Sequence, residues 1–344
     1  MGCFLVPILA FMQNTKNDSI PEKPQRPAFE SSFIIDNPTN VVFSKKSMEM
    51  QIKHRFGLVN SGENDLAGLW GPANIRIGLS YSIFEGVTLG FGTSKFKRLQ
   101  DFSLHMRLLR QTRSGKVPLS ASYYGNFVVD ARKKELFEFE QDRFSFFHQI
   151  IFARRFSRNL SLQVAPSISH FNLVETGFKN DVFGLALGGR CKISPQTSIL
   201  VDYSHSFTNY DDVDGVDFNP KPGLSIGVEF ATSGHAFQLL ISNYNGIVPQ
   251  ENYAFNQNDF FKAIVKFWSV RCGMDMHFFD SSDRVFENIA DTMFKIMNLC
   301  APEKMMYFHE VLHREIATNN KFGTKPKNMS HIKAIVWEYR NYIH

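Results

Sequence analysis

Cysteine is scarce: Cys3, Cys191, Cys272 and Cys300 show no C-x-x-C spacing, so they define neither a disulfide framework nor a zinc site. No run of about 18 apolar residues occurs, which excludes a membrane-spanning helix but says nothing about strands. An excess of one charge is also lacking. The net charge is +5 over 344 residues and the basic residues are scattered, which argues against nucleic acid as a partner. Basic residues are missing ahead of the apolar run 3–12 in "MGCFLVPILAFMQNTKN". The stretch reads either as the back half of a signal peptide or as a frayed hydrophobic terminus. Val6 stands where a myristoylation signal needs Ser or Thr. What the chain has in plenty is phenylalanine, 35 residues against 10 Tyr and 3 Trp.

From Ser47 to about Val270 the dominant pattern is alternation. In "LSLQVAPSI", Leu160, Leu162, Val164, Pro166 and Ile168 share one face, and Ser161, Gln163, Ala165 and Ser167 share the other. Ile75, Ile77, Leu79, Tyr81 and Ile83 likewise oppose Asn74, Arg76, Gly78, Ser80 and Ser82. Leu224, Ile226, Val228 and Phe230 oppose Ser225, Gly227, Glu229 and Ala231. Successive side chains on a strand point to opposite faces, so each segment has one greasy side and one small or polar side.

A soluble sandwich alternates too, and three further features favour a membrane barrel. Segments 143–156, 159–170 and 181–193 outrun ordinary strands and suit tilted bilayer spans of about 9–11 residues. The polar faces carry Gly, Ser and Gln together with Arg76, Arg190, Lys192, Asp202 and Glu229, which makes these five charged residues the candidates for a wet or polar lumen. Links alternate in length: tight near Phe84, Ser157, Pro195 and Thr232, long over 57–72, 129–142, 171–180, 208–221 and 245–259. Short turns on one rim and long loops on the other are the outer-membrane pattern. Tyr123, Tyr124, His148, His170 and Phe171, near strand ends, are expected to form interfacial girdles.

The segments "RPAFESSFIIDN", "NIRIGLSYSI", "HQIIFARRFS", "LSLQVAPSISHFNLV", "KNDVFGLALGGRCKISPQTSI" and "SGHAFQLLISNYNGIVPQENYAFNQNDF" resemble a Bacteroidetes β-barrel family catalogued only as a domain of unknown function. The resemblance covers about residues 27–260 and rests on many segments. It implies an outer-membrane barrel of a Gram-negative bacterium and brings no catalytic or ligand residues. Family members finish with one more strand soon after the equivalent of 256–259. Here "FFKAIVKFWSVRCG", with Phe267 and Trp268, would supply it, and the chain continues to His344.

Beyond about Asp280 the period becomes helical, with Val285, Phe286, Ile289, Met293, Ile296 and Met297 on one face. A second helix is expected over 303–317 and a third in "HIKAIVWEYRNYI". Within the second, His309 and His313 lie one turn apart with Glu310 beside them, the H-E-x-x-H spacing of zinc peptidases. No third ligand stands at a recognised spacing, Arg314 follows directly, and the tail is too short for a peptidase cleft. Two histidines on the polar face of an ordinary helix are the simpler reading. The acidic "DDVDGVD" at 211–217 lacks the full spacing of a calcium loop and reads as a surface loop.

The expectation is therefore all-β: a closed antiparallel up-and-down membrane barrel of about 12 strands with a small helical C-terminal tail. Residues 1–28 would be leader remnant and linker, 29–272 the barrel, and 273–344 the divergent tail. The expected role is a pore or transport-associated envelope protein, not an enzyme, with no cofactor. Its partners would be outer-membrane lipid, the barrel-assembly machinery and an unidentified small solute. A non-conducting structural or ligand-binding barrel is the alternative, and a tail-borne zinc hydrolase is a third reading.

Overall fold

The computed structural model describes residues 22–59, 68, 70–212, 215, 217–232, 234–260 and 271–280; within 271–280, His277 is the one residue whose side chain is described. Eleven strands follow one another as an antiparallel meander: β1 (Met48–Leu58), β2 (Asn74–Phe84), β3 (Val87–Ser94), β4 (Leu99–Leu109), β5 (Ser120–Asp130), β6 (Phe144–Arg155), β7 (Leu160–Phe171), β8 (Asp181–Lys192), β9 (Thr197–Ser206), β10 (Gly223–Ala231) and β11 (His235–Ser242). A short helix α1 (Pro249–Phe255) lies in the link after β11. A further strand, β12 (Arg271–Asp280), pairs antiparallel with β11 on one side and with β1 on the other, so the order of pairings returns to its first strand. β12 runs past the expected barrel boundary at 272. The tail expected to be helical, with His309, Glu310 and His313, lies outside the described residues, as do Phe267 and Trp268.

Alternation sets the two faces of the wall. On β7, Leu160, Leu162 and Val164 are exposed while Ser161, Gln163 and Ala165 are buried. On β10, Ile226 and Phe230 are exposed while Ser225 and Glu229 are buried. Exposed greasy residues on many strands make an outward face that water would penalise and lipid would accept.

The two rims differ as expected. Links 85–86, 156–159, 193–196 and 232–234 are short and share one rim; 59–73, 131–143, 172–180, 207–222 and 243–270 are long and share the other. Two links depart from the rule. Link 95–98 is short on the long-loop rim, and 110–119 is long on the short-turn rim, where it pairs with the N-terminal segment: Pro24 bridges Thr112, and the Gln25 amide donates to the Gln111 carbonyl at 2.8 Å.

The expected girdle needs correction. Tyr124 and Phe171 turn inward, 3% and 7% exposed, into a buried cluster with Phe147, Ile151 and Val182. Their parity is that of Ser122 and Ser169, which face the interior; nearness to a strand end is the weaker signal. Tyr123 and His148 do lie outside, joined by a 2.7 Å hydrogen bond. The outer aromatic row is mainly phenylalanine. Phe91, Phe102, Phe127, Phe146 and His170 are successive register partners on β3 to β7. Their ring centroids stand 5.2, 6.1, 5.2 and 6.2 Å apart.

Candidate functional site: a lumen filled by the chain itself

Residues 29–43, expected to open the barrel, supply no wall strand. They fold inside it. Ala28, Phe29, Ile34, Ile35, Val41 and Val42 are each less than a tenth exposed, as are Ser31, Ser32, Asp36, Asn37 and Thr39. The segment doubles back as a small hairpin. The Thr39 amide donates to the Ser32 carbonyl at 2.8 Å, the Ile34 amide to the Asn37 carbonyl at 3.0 Å, and Phe33 bridges Pro38. "IIDNP" suits this turn because Asp and Asn bond locally and Pro fixes its own φ. It leads into β1 at the short-turn rim, where the Ser82 amide donates to the Ser47 carbonyl at 2.9 Å.

The hairpin tip meets inward wall residues. Asp202 accepts from the amides of Asp36 and Asn37, both at 2.9 Å, and from the Asn37 side chain at 2.8 Å. Asp36 pairs with Arg55 at 3.1 Å and accepts from the Ser225 hydroxyl at 2.5 Å. The Lys53 ammonium donates to the Ile35 carbonyl at 3.0 Å and sits 3.6 Å from the centre of the Phe33 ring. Lower on the hairpin, Ser31 donates to Glu229 at 2.8 Å, and Glu229 also accepts from Arg190 at 3.1 Å. Ser32 donates to Glu49, which pairs with His277 at 2.6 Å. Gln163 and Gln238 donate to the carbonyls of Pro38 and Phe33. Between the polar contacts, Phe29, Ile34, Ile35 and Val41 pack on Ala153, Leu200 and Leu240 of the wall.

A second plug enters from the long-loop rim. Tyr253 of α1 donates to Asn37 at 2.8 Å, joining the two plugs, and Tyr244 hydrogen-bonds Ser204 at 2.5 Å. Gly184 and Gly223 face these two rings so closely that a Cβ at either position would collide with Tyr253 or Tyr244. Outside the spanning strands, burial pushes the Tyr210 phenol upward, so it stays a donor, to the Ala254 carbonyl at 2.9 Å.

The candidates from the sequence take different places. Arg76, Arg190, Asp202 and Glu229 are buried inside the ring. Arg76 makes a two-toothed pair with Asp101, at 2.8 and 2.6 Å, and a third bond to Gln51 at 2.7 Å. Lys192, on the inward parity of β8, lies at the short-turn rim, where it lines a cavity of about 940 Å³ rather than the interior. The expected wet lumen is instead occupied. The cavity lined by Ser32, Glu49, Arg76 and Tyr124 measures about 20 Å³, room for about one water. Small inward residues make space for protein, not solvent. Among the described buried residues, Lys53, Arg55, Arg76 and Arg190 face Asp36, Glu49, Asp101, Asp202 and Glu229, so the interior charges nearly cancel.

Glu49, Lys53, Arg55 and Asp101 escaped the sequence reading. A signal existed: "MEMQIKHRF" alternates strictly, which puts Glu49, Gln51, Lys53 and Arg55 on one side of β1. Nothing in the sequence marked 28–43 as an interior segment. Among the described residues no group of three or more His, Cys, Asp or Glu side chains could hold a metal.

The profile of a family described as a membrane bound beta barrel domain, DUF5777, matches residues 29–268. An outer membrane channel from Pseudomonas putida F1 superposes with a TM-score of 0.45 at 9% identity, over 70% of this chain and 97% of that one. The KdgM porin gives 0.38 at 8% identity, over 67% and 98%, and LpxR from Salmonella typhimurium gives 0.35 at 12% identity, over 67% and 99%. No curated protein matches the chain.

Proposed function

Because the chain belongs to the DUF5777 family of membrane-bound β-barrel domains, we propose that it is an outer-membrane barrel of the channel type whose passage is held shut by its own residues 28–43. In this reading a closed ring of twelve strands spans the bilayer, with the short turns toward the periplasm and the long loops outside. Lipid covers the outward Leu, Val, Ile and Phe residues, and the barrel-assembly machinery inserts the chain. The protein performs no catalytic step. The observation that carries the reading is the Asp202 carboxylate, which binds two backbone amides and a side chain of the hairpin tip. An inward charge that would line an open pore is here satisfied by the chain itself.

The second reading, a permanently filled structural barrel, draws support from the apolar packing of Phe29, Ile34 and Ile35 against the wall. Polar contacts can be exchanged for water at a small net cost, about 0.5–1.5 kcal/mol each. Buried Ile and Phe side chains oppose withdrawal by about 1.5–3 kcal/mol apiece.

Planar-bilayer recording separates the two. The proposal expects a quiet full-length protein and stepwise conductance when 28–43 is deleted. Folding is checked by the mobility shift on boiling that detergent-resistant barrels show. If the deletion does not fold, Asp36→Ala combined with Asn37→Ala loosens the tip instead. A folded variant that passes no current counts for the structural barrel.

A further inference from the structure

We infer that the barrel mouth at the short-turn rim is a binding site for a phosphate-bearing anion. The cavity of about 940 Å³ found there is lined by Arg26, Arg113, Arg155, Arg158 and Lys192, with no acidic residue in its lining. The cations come from four separate places: the N-terminal segment, the long 110–119 link, the β6–β7 turn region and the end of β8. The fold therefore gathers them from positions far apart in sequence. On the long-loop rim cations are commonly paired: Lys134 with Glu140, Lys179 with Asp211 and Lys221 with Asp217; beside the cavity, Glu22 is taken by Lys116. Around the mouth, Arg26, Arg113, Arg158 and Lys192 form no ion pair among the described residues.

Arg155 gives the site a fixed member. Its guanidinium donates to the carbonyls of Ser157, Pro27 and Arg158, at 3.2, 3.3 and 3.1 Å, so its position is set by neutral backbone oxygens rather than by an ion pair. Glu30, the carboxylate whose field reaches Arg155, is itself engaged by Arg190 at 3.0 Å. Several like charges around one concavity raise the local concentration of anions. Guanidinium groups match phosphate oxygens in two-toothed pairs, which a single lysine cannot do. The cavity is large enough for a ligand of many atoms rather than one halide.

Two sources carry this chemistry: a soluble phosphorylated compound and the headgroup of an anionic phospholipid, whose chains could lie on exposed Phe156 and Ile193 beside the cations. The site does not depend on whether the lumen conducts, so it stands or falls separately from the proposed plug.

The test uses full-length protein in detergent at low salt, titrated calorimetrically with pyrophosphate. The variant is Arg26→Ala with Arg113→Ala and Arg158→Ala; all three side chains are exposed, and the boiling shift verifies its fold. The site predicts saturable binding that the triple variant weakens at least about tenfold, since each substitution removes a charged hydrogen-bond donor to the anion. A short-chain phosphatidylglycerol below its critical micelle concentration is then added as competitor, with phosphatidylcholine as control. Displacement of pyrophosphate by phosphatidylglycerol alone assigns the site to a lipid headgroup. Undisturbed pyrophosphate binding assigns it to a soluble anion. Absence of binding by both probes, or equal affinity in wild type and triple variant, overturns the inference.

Discussion

Leu160, Leu162 and Val164 leave β7 on one side, and Ser161, Gln163 and Ala165 leave it on the other. The first three need only be apolar, because their surroundings are fluid and unspecific. Gln163 must reach the Pro38 carbonyl, 2.9 Å away on a segment 125 residues distant in sequence. One wall thus serves two solvents. Its outer face obeys a composition rule, and its inner face obeys a fitting rule as demanding as that of a soluble core. Substitutions of each kind should separate the two rules.

The largest effect is expected inside. Arg76→Ala leaves Asp101 buried without its two-toothed partner, which should cost roughly 3–5 kcal/mol in urea unfolding from lipid vesicles. A conservative outward change such as Val164→Leu should move the same midpoint by only a few tenths of a kcal/mol, as most surface substitutions do. On the outer face, what matters is charge. Val164→Arg, near the middle of β7, is expected to cost about 2–4 kcal/mol in the bilayer and far less in a variant assayed with polar amphipols around the wall. Gly184→Ala should come next. The added methyl meets the Tyr253 ring, and overpacking of this kind costs about 1–3 kcal/mol; in a Tyr253→Ala background the same glycine change should cost much less. If the glycine change alone is harmless, the two plugs are looser than described.

The smallest effect lies at the rim. The hydrogen bond from Arg107 at 2.7 Å holds the Glu85 carboxyl below its ordinary value of 4.5, with a backbone bond from Lys45 assisting. Because the folded value is depressed, this contribution is fully present above the unfolded value and is lost as pH falls below it through the folded one. Glu85 is largely exposed, so the amount is about 0.5 kcal/mol or less. The difference in midpoint between wild type and Glu85→Gln should shrink on going from pH 7 to pH 3. A difference that grows on acidification would contradict the assignment.

What the sequence made legible follows the same division. Parity alone sorts Leu160 from Ser161 and Ile226 from Ser225, and link lengths sort the rims, because these are local properties of a strand and a turn. Parity also placed Arg76, Arg190, Asp202 and Glu229 inward without naming their partners. Asp101, Arg55 and Asp36 were invisible as partners because pairing across a barrel depends on register and closure, which no local window contains. The hairpin at 28–43 was missed for a related reason. "FESSFIIDNPTNVVF" has the apolar content of a strand and the turn residues of a loop, and only the completed wall provides the surface that decides between them. Tyr124 and Phe171 carry the opposite lesson: strand parity points them inward, and nearness to a strand end does not override it.

The N-terminal hairpin holds the lumen, and a cross-link tests its location directly. In a background with Cys3, Cys191, Cys272 and Cys300 replaced by serine, Asp36→Cys is combined with Ser225→Cys, whose native side chains lie 2.5 Å apart. Pro24→Cys with Thr112→Cys, bridge partners at the rim, serves as the control. Mild oxidation of the folded, membrane-inserted protein should close both disulfides, each read as a mobility change reversed by reductant. Closure of the rim pair with no reaction at all between positions 36 and 225 would mean that the hairpin does not occupy the lumen.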